Sequence, residues 1–175
     1  DLNNLGFLEY VAKLGKPIVL STGMGSLNEI DRAVNRINSA GNKELILLHC
    51  IAIYPPKDDI INLNNIRMLK DTFNLPVGFS DHTKGTSITL AAIAMGAKII
   101  EKHYTLNKKM AGWDHAISAD KKDMRIIIDE GKRIVTSIGN YKRNVSKIEM
   151  KQRENFRRSI VLKNYLTKGS IISKN

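Results

Sequence analysis

Short apolar runs alternate with longer stretches of helical periodicity through residues 1–139. The runs hold consecutive apolar residues, as in Ile18-Val19-Leu20, which is typical of strands buried on both faces. In the longer stretches apolar residues recur every three or four positions, which predicts amphipathic helices. The predicted helices cover residues 1–15, 28–40, 64–73, 86–95 and 120–138, and the predicted strands cover residues 17–20, 45–49, 75–79 and 97–101.

The predicted order is one helix followed by four strand–helix repeats. Landmarks at the strand ends are Thr22, His49, His82 and His103, which are 27, 33 and 21 residues apart. This spacing is close to the ~30 residues per repeat of an eight-stranded α/β barrel. The predicted fold class is therefore α/β, a partial (β/α)8 TIM barrel of about the last four strand–helix units, and we expect a first half to precede it because a half barrel has raw hydrophobic edges. An open flavodoxin-like sheet is the alternative.

The C-terminal region has a different pattern. Residues 140–155 are polar and charged and are interpreted as a linker. A new, truncated unit is predicted over residues 156–175, with one strand at 159–162 and a turn followed by a second strand within 166–172. The predicted domains are thus a half barrel over residues 1–139 and the beginning of a small β-rich domain.

Composition is that of an ordinary globular protein, with 42% apolar and 26% charged residues. No apolar run reaches the ~18 residues that a membrane-spanning helix needs, and the single Cys50 suits a reducing cytoplasm. The net charge of +11 is concentrated in residues 121–175, which hold 15 Lys and Arg against 5 Asp and Glu. This leaves open a non-catalytic basic module that binds nucleic acid, although no aromatic residues are interleaved for base stacking.

Two histidines follow neighbouring predicted strands at the point where each strand ends. His82 closes Ser80-Asp81-His82 and His103 closes Glu101-Lys102-His103, 21 residues later. A strand, a crossover helix and a parallel strand fit that spacing, and they return both strand ends to the same rim. We therefore predict that His82 and His103 hold a divalent metal, for which imidazole, water and substrate oxygens suit Mn²⁺, Mg²⁺ or Zn²⁺. The alternative for each is a hydrogen-bonded rim histidine.

Other polar residues lie at the same predicted rim. Glu101 points to the same side of an extended strand as His103 and could orient a substrate hydroxyl or a metal-bound water. Asp114, in a loop beside glycine, could accept hydrogen bonds from a polyol. A salt-bridged Glu101 and an ordinary turn Asp114 are the alternatives, and His49 is either a core or a site histidine. Cys50 is interpreted as a packing residue because no helix N-terminus or obvious partner lowers its pKa.

Five motifs occur in an order that resembles the sialic acid synthase family, the phosphoenolpyruvate-dependent nonulosonate synthases. The similarity covers about residues 5–172, and the ordered set is specific although each motif alone is moderate. From Arg157 to Gly169 the chain is similar to the beginning of that family's small antifreeze-like (SAF) domain. The motifs are PIVLSTGMGS at residues 17–26, LLHC at 47–50 followed by YP, GFSDHTKG at 78–85, GAKIIEKHYTL at 96–106 and GWDHAIS at 112–118.

The resemblance implies an eight-stranded barrel of which this chain holds the second half, and it implies roles for rim residues. Ala52 stands where the family usually has a small polar residue that helps to hold phosphoenolpyruvate. The implied catalytic residues are Glu101 and Tyr54, the implied substrate-binding residues are Ser21, Ser80 and Asp114, and the implied metal ligands are His82 and His103.

The implied activity condenses phosphoenolpyruvate with an N-acetylated aminosugar, N-acetylmannosamine or a relative, to a nine-carbon sialic acid with release of phosphate. A divalent metal, Mn²⁺ before Mg²⁺ or Co²⁺, acts as a Lewis acid on the sugar aldehyde. Legionaminic or pseudaminic acid synthesis from another acceptor is the alternative. A homodimer is implied, in which the SAF domain reaches the partner's site, and neither nucleic acid nor a membrane is expected as a partner. The isolated stretch is expected to be inactive, because the family's phosphate-gripping lysines and an essential glutamate lie in the first half.

Overall fold

The computed structural model describes residues 1–171, and the end of the second predicted C-terminal strand lies outside this range. The chain divides into two compact units, Asp1–Gly139 and Asn140–Asn175. None of the helices within residues 1–171 combines the length and apolar character needed to span a bilayer. The strands are β1 (Ile18–Ser21), β2 (Leu45–Cys50), β3 (Val77–Asp81) and β4 (Ile100–Lys102), and the helices are α1 (Leu5–Lys13), α2 (Leu27–Ser39), α3 (Asn64–Phe73), α4 (Ser87–Ala94), α5 (Lys121–Ile138) and α6 (Lys147–Phe156).

The four strands of the first unit form one parallel sheet in the order β1-β2-β3-β4. Each neighbouring pair is connected through a helix, so every repeat adds its strand to the same edge. A flavodoxin-like sheet has the order 2-1-3-4-5 instead. The open-sheet alternative is therefore wrong, and the first unit is the predicted half barrel.

The strand register assigns alternate residues to two faces of the sheet. Leu20, Leu47 and Val77 are in register and buried on the helix face, where they join apolar residues of α1–α4 in one core. The opposite inner face carries Val19, which is 49% exposed, and Ser21. The core therefore lies between the sheet and its helices, and the inner face is exposed at β1, whereas its residues Leu48 and Ser80 on β2 and β3 are buried.

The predicted strands and helices of the first unit are confirmed, with shifted ends. Helix α1 begins at Leu5 because the side chain of Asn4 caps it by accepting from the backbone N–H of Phe7 at 3.1 Å. Strand β3 extends two residues further than predicted, to Asp81. Ser80 and Asp81 remain in the sheet because both side chains have partners on β4. Hydrophobicity alone places the strand end too early.

The apolar stripe of α5 is narrower than predicted. The sequence predicts that Met124, Ile127, Ile128, Ile134 and Val135 are buried, but Ile128 is 44% and Val135 61% exposed. These two residues lie about 80–100° around the helix from the buried Ile127. At Gly131 the helix lies close to α4, since an added Cβ would lie 3.0 Å from Ile93 Cδ1. The sequence shows which residues are apolar but not which direction has a neighbour.

The second unit contains one helix, α6, among residues 140–171. This helix lies in the segment interpreted as a linker, and the side chain of Ser146 caps it by accepting from Glu149 N–H at 3.1 Å. The strand predicted at residues 159–162 is not formed, and no other strand within residues 140–171 could pair with it. The predicted turn is present, since Ser170 N–H donates to the Thr167 carbonyl at 3.1 Å. The small β-rich domain remains a prediction.

Two neighbouring isoleucines of α5 test this packing. Replacing Ile127, which is 6% exposed, by alanine should lower the free energy of unfolding by about 2–4 kcal/mol, because it opens a cavity against α4. Ile128→Ala, its matched control, should cost less than about 1 kcal/mol. Urea unfolding of both variants measures the difference, and equal losses would contradict the orientation of α5.

Candidate functional site

Two register pairs at the ends of β3 and β4 lead into a pair of histidines. Ser80 is in register with Glu101, and Asp81 with Lys102. Ser80 Oγ donates to Glu101 Oε1 at 2.7 Å on the inner face. The next residue of each strand is His82 or His103, one position beyond the last register pair. The predicted meeting of the two strand ends at one rim is therefore observed.

The two imidazoles lie side by side, with their ring centroids 5.3 Å apart. His82 Nδ1 lies 2.9 Å from the Ile51 carbonyl oxygen. Since a carbonyl only accepts, Nδ1 carries the proton and Nε2 of the neutral ring keeps a lone pair. His103 Nδ1 faces Asp114 Oδ2 at 3.6 Å. Carbonyl or carboxylate partners of this kind orient histidines that bind metals.

The aromatic ring of Tyr54 covers both histidines. Its centroid lies 4.0 Å from that of His82 and 5.8 Å from that of His103. The pKa of the Tyr54 phenol is raised, first by burial and then by the negative charges of Cys50, Asp114 and Glu101. The carboxylates of Asp114 and Glu101, which contribute to this shift, also favour a cation at this rim.

The two imidazoles are suitable ligands for a divalent cation, and their spacing can be compared with that of two rings that share one metal. A metal at ~2.1 Å from each Nε2 lies about 3.3 Å from each ring centroid, so two rings that share it stand about 4.6–5.4 Å apart. The observed 5.3 Å is within that range. Within residues 1–171 no group of three or more His, Cys, Asp or Glu side chains is arranged to hold a metal ion. His82 and His103 would therefore supply two metal ligands, and the remaining ligands would be other groups.

Cys50 lies at this rim and is buried, and the expectation that no partner lowers the pKa of its thiol was wrong. It is in register with Ser80 and thus lies on the inner face. Burial raises the pKa of its thiol, but hydrogen bonding to His82, Ser21 and Ser80 outweighs burial and holds the pKa below its usual value. Cys50 in turn raises the pKa of His82 against the opposing effect of burial. The alternation of faces along LLHC was the signal that could have found this residue.

A buried ion pair lies behind the histidines on the helix face. Lys102 Nζ donates to Asp81 Oδ2 at 2.9 Å, and the side chains are 2% and 0% exposed. Asp81 also accepts from the backbone N–H of Thr83 and from the Thr89 hydroxyl. Among residues 1–171, Thr83 Oγ1 is the one buried side-chain oxygen without a hydrogen-bond partner, and it is one residue from His82. The sequence pattern gives no signal for this ion pair, because the two residues are 21 positions apart.

The remaining rim residues divide into two groups. Ser21 and Asp114 are exposed at the rim, where the Ser21 hydroxyl accepts from Gly23 N–H at 3.4 Å. His49 points away, to the helix face, where it stacks on Phe79 and bonds the Ile61 carbonyl through Nε2 at 2.7 Å. Burial lowers the pKa of His49. His49 is thus a core histidine, which resolves the alternative that the sequence left open.

The sequence model of the NeuB family matches residues 1–143, more than four fifths of the chain. The chain belongs to the NeuB family. Its fold class and the resemblance of its motifs to sialic acid synthases agree with this assignment.

Several relatives of this NeuB-family chain are named as synthases of nonulosonic acids. It is 42% identical to the N,N'-diacetyllegionaminic acid synthase of Campylobacter jejuni, over 99% of this chain and 53% of that protein. It is 32% identical to the human N-acetylneuraminate-9-phosphate synthase, over 99% of this chain and 48% of that protein. A crystal structure of the sialic acid synthetase of Leptospira borgpetersenii with citrate aligns with a TM-score of 0.80 at 38% identity, over 91% of this chain and 56% of that one. The chain spans about half the length of these relatives.

The burial of His49 predicts a pH effect on stability. Because its folded pKa lies below the usual 6.5, the folded chain binds fewer protons than the unfolded chain as pH falls through 6.5. The contribution of His49 should therefore be complete above pH 6.5 and decrease below it, by at most about 1.4 kcal/mol per pH unit. The stability advantage of the wild type over His49→Gln should shrink between pH 7.5 and 5.5 in urea unfolding experiments. An advantage that grows at low pH would contradict the neutral, buried state of His49.

Proposed function

We propose that the whole protein to which this chain belongs condenses phosphoenolpyruvate with an N-acetylated aminosugar. The product is a nine-carbon nonulosonic acid, and phosphate is released. Support comes from membership of the NeuB family and from relatives that are named as legionaminic acid and N-acetylneuraminate-9-phosphate synthases. The proposed location is the cytoplasm, and the proposed assembly is a homodimer.

The observation that carries this proposal is the arrangement of His82 and His103. Their ring centroids are 5.3 Å apart at one rim, and Nδ1 of His82 is bonded to a carbonyl oxygen, which leaves its Nε2 for a ligand. We assign these two side chains to a divalent cation, Mn²⁺ first and Mg²⁺ or Co²⁺ as alternatives. When bound, such a cation acts as a Lewis acid toward the oxygen of the sugar aldehyde.

Other residues of the rim would bind and orient the two substrates. The Tyr54 phenol has a raised pKa and thus stays protonated at neutral pH, so it can donate a hydrogen bond to a sugar oxygen. Glu101 is held by the Ser80 hydroxyl through Oε1, and it can accept a proton or a hydroxyl hydrogen bond at its carboxylate. The Ser21 hydroxyl can donate to phosphoenolpyruvate, Ser80 would do so by turning its O–H away from Glu101, and the exposed Asp114 can accept from hydroxyl groups of the sugar.

Two acceptor sugars are candidates. N-Acetylmannosamine is the first, in line with the resemblance to sialic acid synthases. A di-N-acetylated aminosugar that yields diacetyllegionaminic acid is the second, because the legionaminic relative is 42% identical and the human N-acetylneuraminate-9-phosphate synthase 32%. Assaying the whole protein with both sugars distinguishes these candidates by the ratio of kcat/KM.

Histidine variants of the whole protein test the reaction. With phosphoenolpyruvate, Mn²⁺ and the preferred sugar, His103→Ala should lower the rate of phosphate release by about 100-fold or more, since a metal ligand is lost. His49→Gln changes a histidine of the neighbouring strand that faces the core, and it should keep wild-type activity per folded molecule. If the wild type released no phosphate with any N-acetylated hexose, the proposal would be overturned.

A further inference from the structure

We propose that the buried Asp81–Lys102 ion pair is a positioning element that sets the distance between His82 and His103 and so tunes their affinity for a divalent cation. This inference rests on the proposed function, because it concerns the same two histidines. The side chains of the ion pair lie on the helix face, opposite Ser80 and Glu101, although Lys102 also lines the pocket beside the two histidines. Each is the chain neighbour of a rim histidine.

The ion pair is fully buried, and the Asp81 carboxylate has hydrogen-bond donors besides Lys102. Asp81 Oδ2 accepts from Lys102 Nζ at 2.9 Å, and the two side chains are at most 2% exposed. A charge at this depth is stable only with a partner and additional hydrogen bonds. Asp81 receives these from the Thr83 N–H at 2.8 Å and from the Thr89 hydroxyl of α4. The ion pair thus anchors β3 and β4 to each other and to the helix layer.

The hydrogen bonds of the ion pair involve the residues on both sides of His82 in the chain. Asp81 precedes His82, while Thr83 follows it and donates its N–H to Asp81 Oδ1. Lys102 Nζ also donates to the Thr83 carbonyl at 2.7 Å. Lys102 itself immediately precedes His103. One ammonium group therefore connects the backbone after His82 with the residue before His103.

No strand pairing can replace this link. Asp81 and Lys102 form the last register pair of β3 and β4, so both histidines lie beyond the regular ladder. Without the ion pair, the side-chain bond that joins β3 and β4 nearest to the histidines would be the Ser80–Glu101 bond, on the other face and two residues before them. Each histidine would then be held by its own segment, His82 through Nδ1 at the Ile51 carbonyl and His103 through its carbonyl at the Ala119 N–H, with no side-chain link between the two at this depth. Metal affinity depends strongly on how the ligands are oriented.

For the substitution Lys102→Met, the loss of a charge and the loss of a positioning element predict opposite changes in metal affinity. Lys102→Met removes a positive charge near the histidines, and by electrostatics alone this should strengthen the binding of a cation or leave it unchanged. Loss of a positioning element should weaken binding instead. A purely structural role would lower stability without changing the metal affinity of the folded protein.

Mn²⁺ binding to the whole protein, followed by the EPR signal of free Mn²⁺ without substrates, decides between these roles. We expect Lys102→Met to raise the Kd for Mn²⁺ by about tenfold or more. Asn42→Ala is the matched control: Asn42 is also buried and holds the Ala12 and Lys16 carbonyls, but it precedes β2 at the opposite end of the sheet. It should lower the thermal midpoint without changing the Kd.

A folded Lys102→Met protein with a Kd within twofold of wild type, or a lower one, would overturn the inference. A wild-type protein that binds no Mn²⁺ would instead contradict the proposed function. If Lys102→Met does not fold, Thr89→Val serves, because it removes one bond to Asp81 and keeps the side-chain shape. We expect it to raise the Kd about two- to fivefold, and an unchanged Kd in that variant would also overturn the inference.

Discussion

The register between β3 and β4 is the constraint on which the whole rim depends. Ser80 pairs with Glu101 and Asp81 with Lys102, so side chains alternate between the inner face and the helix face. A slip of one residue would exchange the faces. It would place a charged group of the ion pair on the inner face, away from its partner, and site residues against the apolar core. The buried ion pair therefore favours the observed register, in which Asp81 and Lys102 meet on the helix face.

Much of the fold and part of the site could be predicted from the sequence. Apolar periodicity defined the strands and helices of residues 1–139, and the position of polar residues after apolar runs placed His82 and His103 at one rim. These inferences succeed because parallel crossovers bring strand ends together whatever the details of packing. Cys50 was missed because a free cysteine counts as apolar, although its neighbours on the inner face are Ser21, Ser80 and His82.

Other features depend on neighbours that a linear pattern does not reveal. Ile128 and Val135 are as apolar as Ile127, yet α5 buries Ile127 and Gly131 and leaves Ile128 and Val135 exposed. Residues 159–162 have strand propensity, but strand formation needs a second strand to take the hydrogen bonds. The burial of the Asp81 and Lys102 side chains could not be predicted either, because a charged residue is buried only when an opposite charge lies next to it in the folded chain.

The buried ion pair raises the question of why a charged pair occupies a place where apolar side chains would serve stability as well. Removing two charges from water costs several kcal/mol, and apolar replacements of similar shape are often as stable. An apolar pair, however, has no preferred distance beyond contact and makes no directional bonds to the backbone. The ammonium of Lys102 reaches both the Asp81 carboxylate and the Thr83 carbonyl, which fixes the chain on either side of His82. Directional bonding to the backbone, rather than stability, is thus the property that distinguishes this ion pair from an apolar contact.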